Sequence, residues 1–196
     1  VFNIKVEIMI IKINLGAGKQ IKSDFINHDI SDLNGIDVVH DLDVYPWPWK
    51  DSSVDYILMQ DVLEHLSDIV QPMNEINRIL KNNGLIKIRV PYWNSWCAYA
   101  DPTHKRYFHE HTFHFFDVNS AYYLDRDYYT EGGFEIINEA LILAPGAPYF
   151  RIPKLGLIYI RNSFLRRIIG WWGNHIGNTI NDIEVEMKKV TRPNSN

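Results

Sequence analysis

Cysteine is almost missing from this chain of 196 residues: Cys97 stands alone, so no internal disulfide can form. Long apolar runs are missing too, and no uninterrupted stretch approaches the ~18 residues of a membrane span. Residues 1–15 carry Lys5, Glu7 and Lys12 where a signal peptide needs an unbroken apolar core. A reducing, cytoplasmic setting is the expectation. The first methionine is Met9, and residues 1–8 read as an alternative start or an extension of little functional meaning. No linker rich in Pro, Gly or Ser divides the chain, and no repeat or low-complexity segment interrupts it, which points to one domain over 1–196. Basic charge is scarce in the first part: residues 1–139 hold 12 Lys and Arg against 21 Asp and Glu, which argues against general nucleic-acid binding. Acids are in turn absent from residues 140–181.

What is present begins with apolar runs bounded by turn residues, at Ile10–Leu15, Phe25–Ile26, Ile36–Val39, Val54–Met59 and Leu85–Val90. Continuous rather than alternating hydrophobicity reads as buried parallel strands. Between the fourth and fifth, Pro72 suits a helix's first turn, Met73, Ile76, Ile79 and Leu80 share one face, and Asn82-Asn83-Gly84 reads as the stop. Phe134–Leu143 and Ile183–Val190 suit an antiparallel closing pair. The order gives an α/β layered domain with a mostly parallel sheet. Connections in its first half are short for parallel crossovers, so helices there are expected to shrink to a turn or so.

The first run ends in Gly16-Ala17-Gly18, and Asp29 closes the second. In open α/β sheets a glycine turn after the first strand lets a ligand approach the backbone beyond the strands' carboxyl ends. A dinucleotide fingerprint would need a third glycine where Ile21 stands and an acid about twenty residues on. A phosphate loop would need GxxxxGK[ST], and Gly18-Lys19 lacks both the hydroxyl and the loop. A nucleoside without a phosphate chain fits better, its ribose hydroxyls meeting a carboxylate at the end of strand two. S-adenosylmethionine is such a ligand.

"INLGAGK", "NHDI", "VVHDL", "SSVDYILMQDVLEHL" and "EINRILKNNGLIKIRVP" occur in that order. Residues 10–91 thereby resemble the class I S-adenosylmethionine-dependent methyltransferases of the small type 11-like group, which have a three-layer Rossmann-like fold. "DPTHKRYF" (101–108) looks like the DPTHxRxF segment of a subset. The resemblance implies that Gly16, Ala17 and Gly18 line the methionine part and Asp29 takes the ribose. It places Ile30 beside Asp29, Asp41 and Leu42 at the adenine, and Gln60 and Asp61 at the methionine end. Where many relatives carry an acid two residues before the first glycine, this chain has Asn14.

Methyl transfer mainly requires two reactants held in line and, for a weak acceptor, removal of a proton. "DVLEH" puts Asp61, Glu64 and His65 on one face of a helical turn. They read as a base or as ties to nearby backbone; the spacing also resembles the ExxEH element of small-RNA methyltransferases, which implies ligands of a divalent cation, but no metal is expected. The aromatic segment 92–116 after strand five is read as a substrate-side insertion. It holds His104, His109, His111 and His114, with His104 and Arg106 expected at the site's mouth and Arg106 suited to an acceptor carboxylate or phosphate. Asp61, His65 and His104 are the catalytic candidates. Residues 144–181, with Arg151, Lys154, Arg161, Arg166 and Arg167 among Phe164, Leu165, Ile168, Ile169, Trp171 and Trp172, read as a lid, a dimer contact, or a peripheral membrane surface over 151–172. The expected activity is methyl transfer to an oxygen or nitrogen of a small polar, sugar or lipid-linked acceptor by a monomer or weak dimer. A non-catalytic nucleoside-binding module and an RNA methyltransferase are the alternatives. The second is disfavoured by the acidic core and by "MQDV" standing where an NPPY-like motif belongs.

Overall fold

The computed structural model describes residues 10–130, 132–144 and 156–191. Its strands are β1 (Lys12–Leu15), β2 (Ile26–Asp29), β3 (Val38–Val39), β4 (Val54–Gln60), β5 (Leu80–Pro91), β6 (Gly133–Leu143), β7 (Ile158–Ile160) and β8 (Asp182–Val190). They form one sheet in the order β3-β2-β1-β4-β5-β8-β6-β7. The first five pair in parallel, while β8 pairs antiparallel with both β5 and β6, and β7 antiparallel with β6. The α-helices are α1 (Val70–Ile79), α2 (Trp96–Ala100), α3 (Ala121–Asp125) and α4 (Ser163–His175). This is the mostly parallel α/β sheet with antiparallel closing strands that the run order implies.

The register explains the core. Ile13, Ile57, Ile86 and Met187 lie opposite one another across four strands, and Leu15, Met59, Ile88 and Val185 form the next row. All are at most 2% exposed, and full burial of such a side chain stabilises by about 1.5–3 kcal/mol. The alternating positions point to the other face. There β5 carries Lys87 and Arg89, so this strand is not the continuously apolar one its neighbours suggested. Lys87 Nζ pairs with Glu184 at 3.0 Å, and Arg89 pairs with Asp61.

Pro72 falls in the first turn of α1. The helix ends at Ile79, earlier than expected, and Asn82-Asn83-Gly84 instead forms an irregularity inside β5: Val54 pairs with Leu80 but Tyr56 with Leu85, with Asn83 at φ 63°. In the first half, the described residues between Gly16 and Ser53 contain no helix at all. Polar side chains brace these short crossovers. Asn27 Oδ1 accepts from Lys22 N at 3.0 Å, and Asp37 Oδ2 accepts from Asn27 N at 2.7 Å. Buried Trp47 fills the space before β4, its backbone N donating to Glu75 of α1 at 2.7 Å and its carbonyl accepting from Arg78 at 3.1 Å. Asn14 is buried and donates to the Gln20 carbonyl at 3.0 Å, tying down the glycine loop.

Candidate active site

A cavity of about 330 Å³ opens where β1, β2, β3 and β4 end. Gly16, Asp29, Ile30, Asp41, Leu42 and Asp61 line it, with His28, His40, Asp43, Val62, His65, Leu66 and Lys105. Six of the expected cofactor residues therefore share one hollow. Gly16 and Gly18 adopt φ 64° and 50°, the left-handed region that glycine enters without a Cβ penalty. A Cβ on Gly16 would stand 2.3 Å from Val62 Cγ2, so this position keeps the cavity floor open. Ala17 is buried beneath the turn, its N donating to the His28 carbonyl at 2.8 Å.

Asp29 is held from both sides: Gly18 N donates to Oδ2 at 2.8 Å and Ser31 N to Oδ1 at 3.0 Å. A carboxylate offers about four lone-pair sites, so each oxygen retains one for a ligand hydroxyl. His28 was not singled out by sequence, yet it locks the turn. Its Nε2 meets the His40 carbonyl at 2.9 Å and so carries the proton, leaving Nδ1 to accept from Gly16 N at 3.4 Å. Burial pushes its pKa below the ordinary value, in keeping with a neutral ring.

A second cavity of about 460 Å³ adjoins the first and is lined by Glu64, Arg89, Pro91, Trp96, Cys97, Ala100, Asp101, His104, Leu157 and Asp182. Asp61 and His65 line both hollows. Asp61 stands at φ 56°, rare for a non-glycine residue, with its carboxylate on Arg89, where Nε donates at 3.3 Å. His65 Nδ1 bonds Thr103 Oγ1 at 2.9 Å, and that hydroxyl donates to Asp101 Oδ1 at 2.6 Å. The ring therefore donates from Nδ1 and keeps a lone pair on Nε2. Burial, then the neighbouring His104, hold its pKa low. His104 Nδ1 likewise meets the Ala98 carbonyl at 3.0 Å. Glu64 is 1% exposed with neither carboxylate oxygen bonded, and burial pushes its pKa up to about 8. Trp96 Nε1 in the same wall is also buried without a partner. Burial raises Asp182 to about 6.

Two expected site residues lie elsewhere. Gln60 pairs in register with Arg89 and faces the sheet's polar side, lining a depression with Tyr56, Leu58 and Lys87. Arg106 is exposed and donates to the Ser67 carbonyl, while Lys105 reaches the first cavity and bonds Ser67 Oγ at 3.2 Å. The remaining histidines do not converge on the cavities. His109 bonds Asn174 at 3.0 Å, and His114 pairs with Glu139 at 3.1 Å, which raises its pKa. Of residues 144–181, 145–155 lie outside the described residues, among them Arg151 and Lys154; of the rest, only Leu157 lines either cavity.

A glycine turn and a strand-end carboxylate at the carboxyl edge of a mostly parallel sheet belong to a Rossmann-like α/β architecture. Residues 15–88 match the family described as "Methyltransferase domain". No curated protein matches the chain. A SAM-dependent methyltransferase from Archaeoglobus fulgidus superposes with a TM-score of 0.59 at 19% identity, covering 92% of this chain and 86% of that one. A SAM-dependent methyltransferase from Thermotoga maritima, described as a possible histamine N-methyltransferase, gives 0.57 at 16% identity, covering 91% and 81%. The [4+2]-cyclase SpnF gives 0.53 at 13%, covering 93% and 76%. The chain has the fold of SAM-dependent methyltransferases, and its first half carries the sequence pattern of a methyltransferase domain. Together these findings support an enzyme of that class with S-adenosylmethionine as cofactor.

Proposed function

We propose that the first cavity holds S-adenosylmethionine and the second an acceptor, with methyl transfer to an acceptor oxygen or nitrogen across the wall they share. The observation that carries this reading is that Asp61 and His65 line both hollows. The cofactor suits the residues present: the Gly16 floor has no room for a Cβ, and Asp29 keeps lone pairs toward the cavity. When bound, it supplies an electrophilic methyl on a sulfonium. The chain's own part is to position and to manage a proton. Asp29 anchors the ribose, and Val62 and Leu66 exclude water. His65 presents an unprotonated Nε2 to the acceptor, fixed in that tautomer by Thr103 and Asp101. Asp61, neutralised by Arg89, shapes the wall rather than acting as base. His104 stacks edge-on against His65 with ring centroids 4.7 Å apart.

Turnover should be measured as transfer of labelled methyl from S-adenosylmethionine into metabolite, lipid and RNA pools, alongside calorimetry with S-adenosylhomocysteine. His65→Ala is expected to lose about 10²-fold or more in turnover, the scale of a lost proton-transfer group, and His104→Ala, which removes the ring packed against it, a smaller factor, with S-adenosylhomocysteine binding retained in both. Unchanged turnover with intact binding removes them from the mechanism. Label in the RNA pool alone would turn the reading to a nucleic-acid acceptor.

The acceptor class we favour is small and polar, a sugar or its lipid-linked form, met in a reducing cytoplasm at an anionic membrane surface. Support comes from α4, which leans on the body through buried Gly170 and Gly173 and leaves Phe164 68%, Trp171 58% and Trp172 47% exposed. Arg167 stands among these rings, and residues 140–181 hold no acid to repel anionic headgroups. Among the described residues no helix is long and apolar enough to cross a membrane. Vesicles containing anionic lipid are expected to float with the wild type at low salt and much less with Trp171→Ala/Trp172→Ala. Absence of wild-type flotation ends the membrane reading.

A further inference from the structure

We propose that Glu64, His65 and His104 form a binding site for one divalent transition cation of the Zn2+ type, in the wall of the acceptor cavity. One ligand atom from each lies within 4.8 Å of the other two. This rests on the two-cavity reading and revises one role within it: with a cation bound, the Nε2 of His65 is a ligand and not a proton acceptor.

The hydrogen bonds around the cluster are those a metal site requires. A ligating imidazole donates its other N–H to an oxygen, which fixes ring and tautomer. Both histidines do so: His65 through Nδ1 to Thr103, backed by Asp101, and His104 through Nδ1 to the Ala98 carbonyl. Each keeps Nε2 for a ligand. Glu64 supplies the third donor. Buried polar groups are nearly always bonded, yet its carboxylate is 1% exposed and neither oxygen has a partner. A cation beside it resolves that orphan.

A second group, His109, Glu110 and His111, also has its ligand atoms within 4.8 Å of one another, but its hydrogen bonds exclude it. His109 Nδ1 accepts from His111 N at 3.2 Å and Nε2 meets Asn174 Oδ1 at 3.0 Å, so both nitrogens are taken. The contrast comes from the bonding, not from residue type.

Two imidazoles and one carboxylate suit Zn2+, Fe2+, Co2+ or Mn2+; Mg2+ and Ca2+ prefer oxygen alone. Three protein ligands leave at least one position open, the pattern of a catalytic rather than a structural site. All three ligands line the acceptor cavity. A cation there lowers the pKa of an acceptor hydroxyl, whose O–H bond breaks with the proton passing to water. His65 then serves as ligand, and the acceptor atom is oxygen.

The test uses the whole chain, stripped with chelator and titrated with Zn2+ by calorimetry and with Co2+ by visible absorption. One equivalent per chain is expected, with ligand-field bands for Co2+. His65→Ala and His104→Ala should abolish saturable binding, and His109→Ala/His111→Ala should leave it unchanged. Thr103 is exposed, so Thr103→Val keeps the fold; by removing the oxygen that orients His65 it should weaken Zn2+ about 10–100-fold. No saturable binding to the wild type overturns the proposal, as does binding that survives His65→Ala and His104→Ala. Calorimetry with S-adenosylhomocysteine on the metal-free protein separates the two ideas. Nucleoside binding without metal binding leaves the methyltransferase reading standing and removes only the cation; metal binding without nucleoside binding does the reverse.

Discussion

Asp29→Ala is expected to weaken S-adenosylhomocysteine binding by about 100-fold in calorimetry. The carboxylate is positioned by Gly18 N at 2.8 Å and Ser31 N at 3.0 Å, which leaves a lone pair on each oxygen for the two ribose hydroxyls. Hydrogen bonds to a charged group contribute about 1.5–3 kcal/mol each. Two at the low end sum to about 3 kcal/mol, and about 1.4 kcal/mol is tenfold in affinity. Folding should suffer less, because Asp29 is half-exposed and water can take over the Gly18 and Ser31 amides. Asp29→Asn divides the effect: its amide oxygen can accept one bond, so it should fall between wild type and Asp29→Ala. Equal affinity for all three would show that the first cavity does not read a ribose through this residue.

The parts of the site legible in the sequence are those set by local chemistry. Gly16 and Gly18 occupy left-handed backbone, and the turn they make precedes a strand ending in a carboxylate; both features are visible over a short span. The succession of strands along the chain followed from runs such as Val54–Met59 that end at turn residues, whereas their order across the sheet did not. Side-chain parity was not legible. Gln60 and Met59 are neighbours in β4, yet a strand sends successive residues to opposite faces, so Met59 enters the core while Gln60 lines the polar side. The same one-position ambiguity separates Lys105 from Arg106. The backbone N–H groups of both donate to the Glu64 carbonyl, at 2.7 and 3.1 Å, and only Lys105 turns toward the first cavity.

The second cavity was still less legible because distant segments build it. Asp182 reaches it through the pairing of β8 with Pro91, a register fixed by the sheet and not by any motif. His28 carried a signal, standing beside Asp29, but its role depends on a carbonyl twelve residues away, that of His40. The missing first-half helices follow from chain length: ten residues between Gly18 and Asp29 cannot descend and return with a helix between. Asn14, Asn27 and Asp37 take the backbone bonds that a helix would have satisfied internally. A side-chain amide in place of an acid at position 14 is thus part of how the shortened crossover is held.

Gly16→Ala should cost far more than Gly18→Ala, although both glycines sit in left-handed backbone. At Gly18 a Cβ meets nothing within 4 Å, so only the conformational penalty of about 1–2 kcal/mol applies. At Gly16 the same penalty adds to a contact of 2.3 Å with Val62 Cγ2, and overpacking of this kind costs about 1–3 kcal/mol more. Val62 is 9% exposed and packed in the core cluster, so it has little room to withdraw except into the first cavity. Gly16→Ala should therefore lower thermal stability and nucleoside affinity together, whereas Gly18→Ala lowers stability modestly. Val62→Ala separates strain from clash: in Gly16→Ala/Val62→Ala the steric part vanishes and the backbone part stays, giving a favourable coupling of about 0.5–3 kcal/mol in a double-mutant cycle. Additive losses would mean that the two side chains do not meet, and that the floor of the cavity is shaped by something other than the bare glycine.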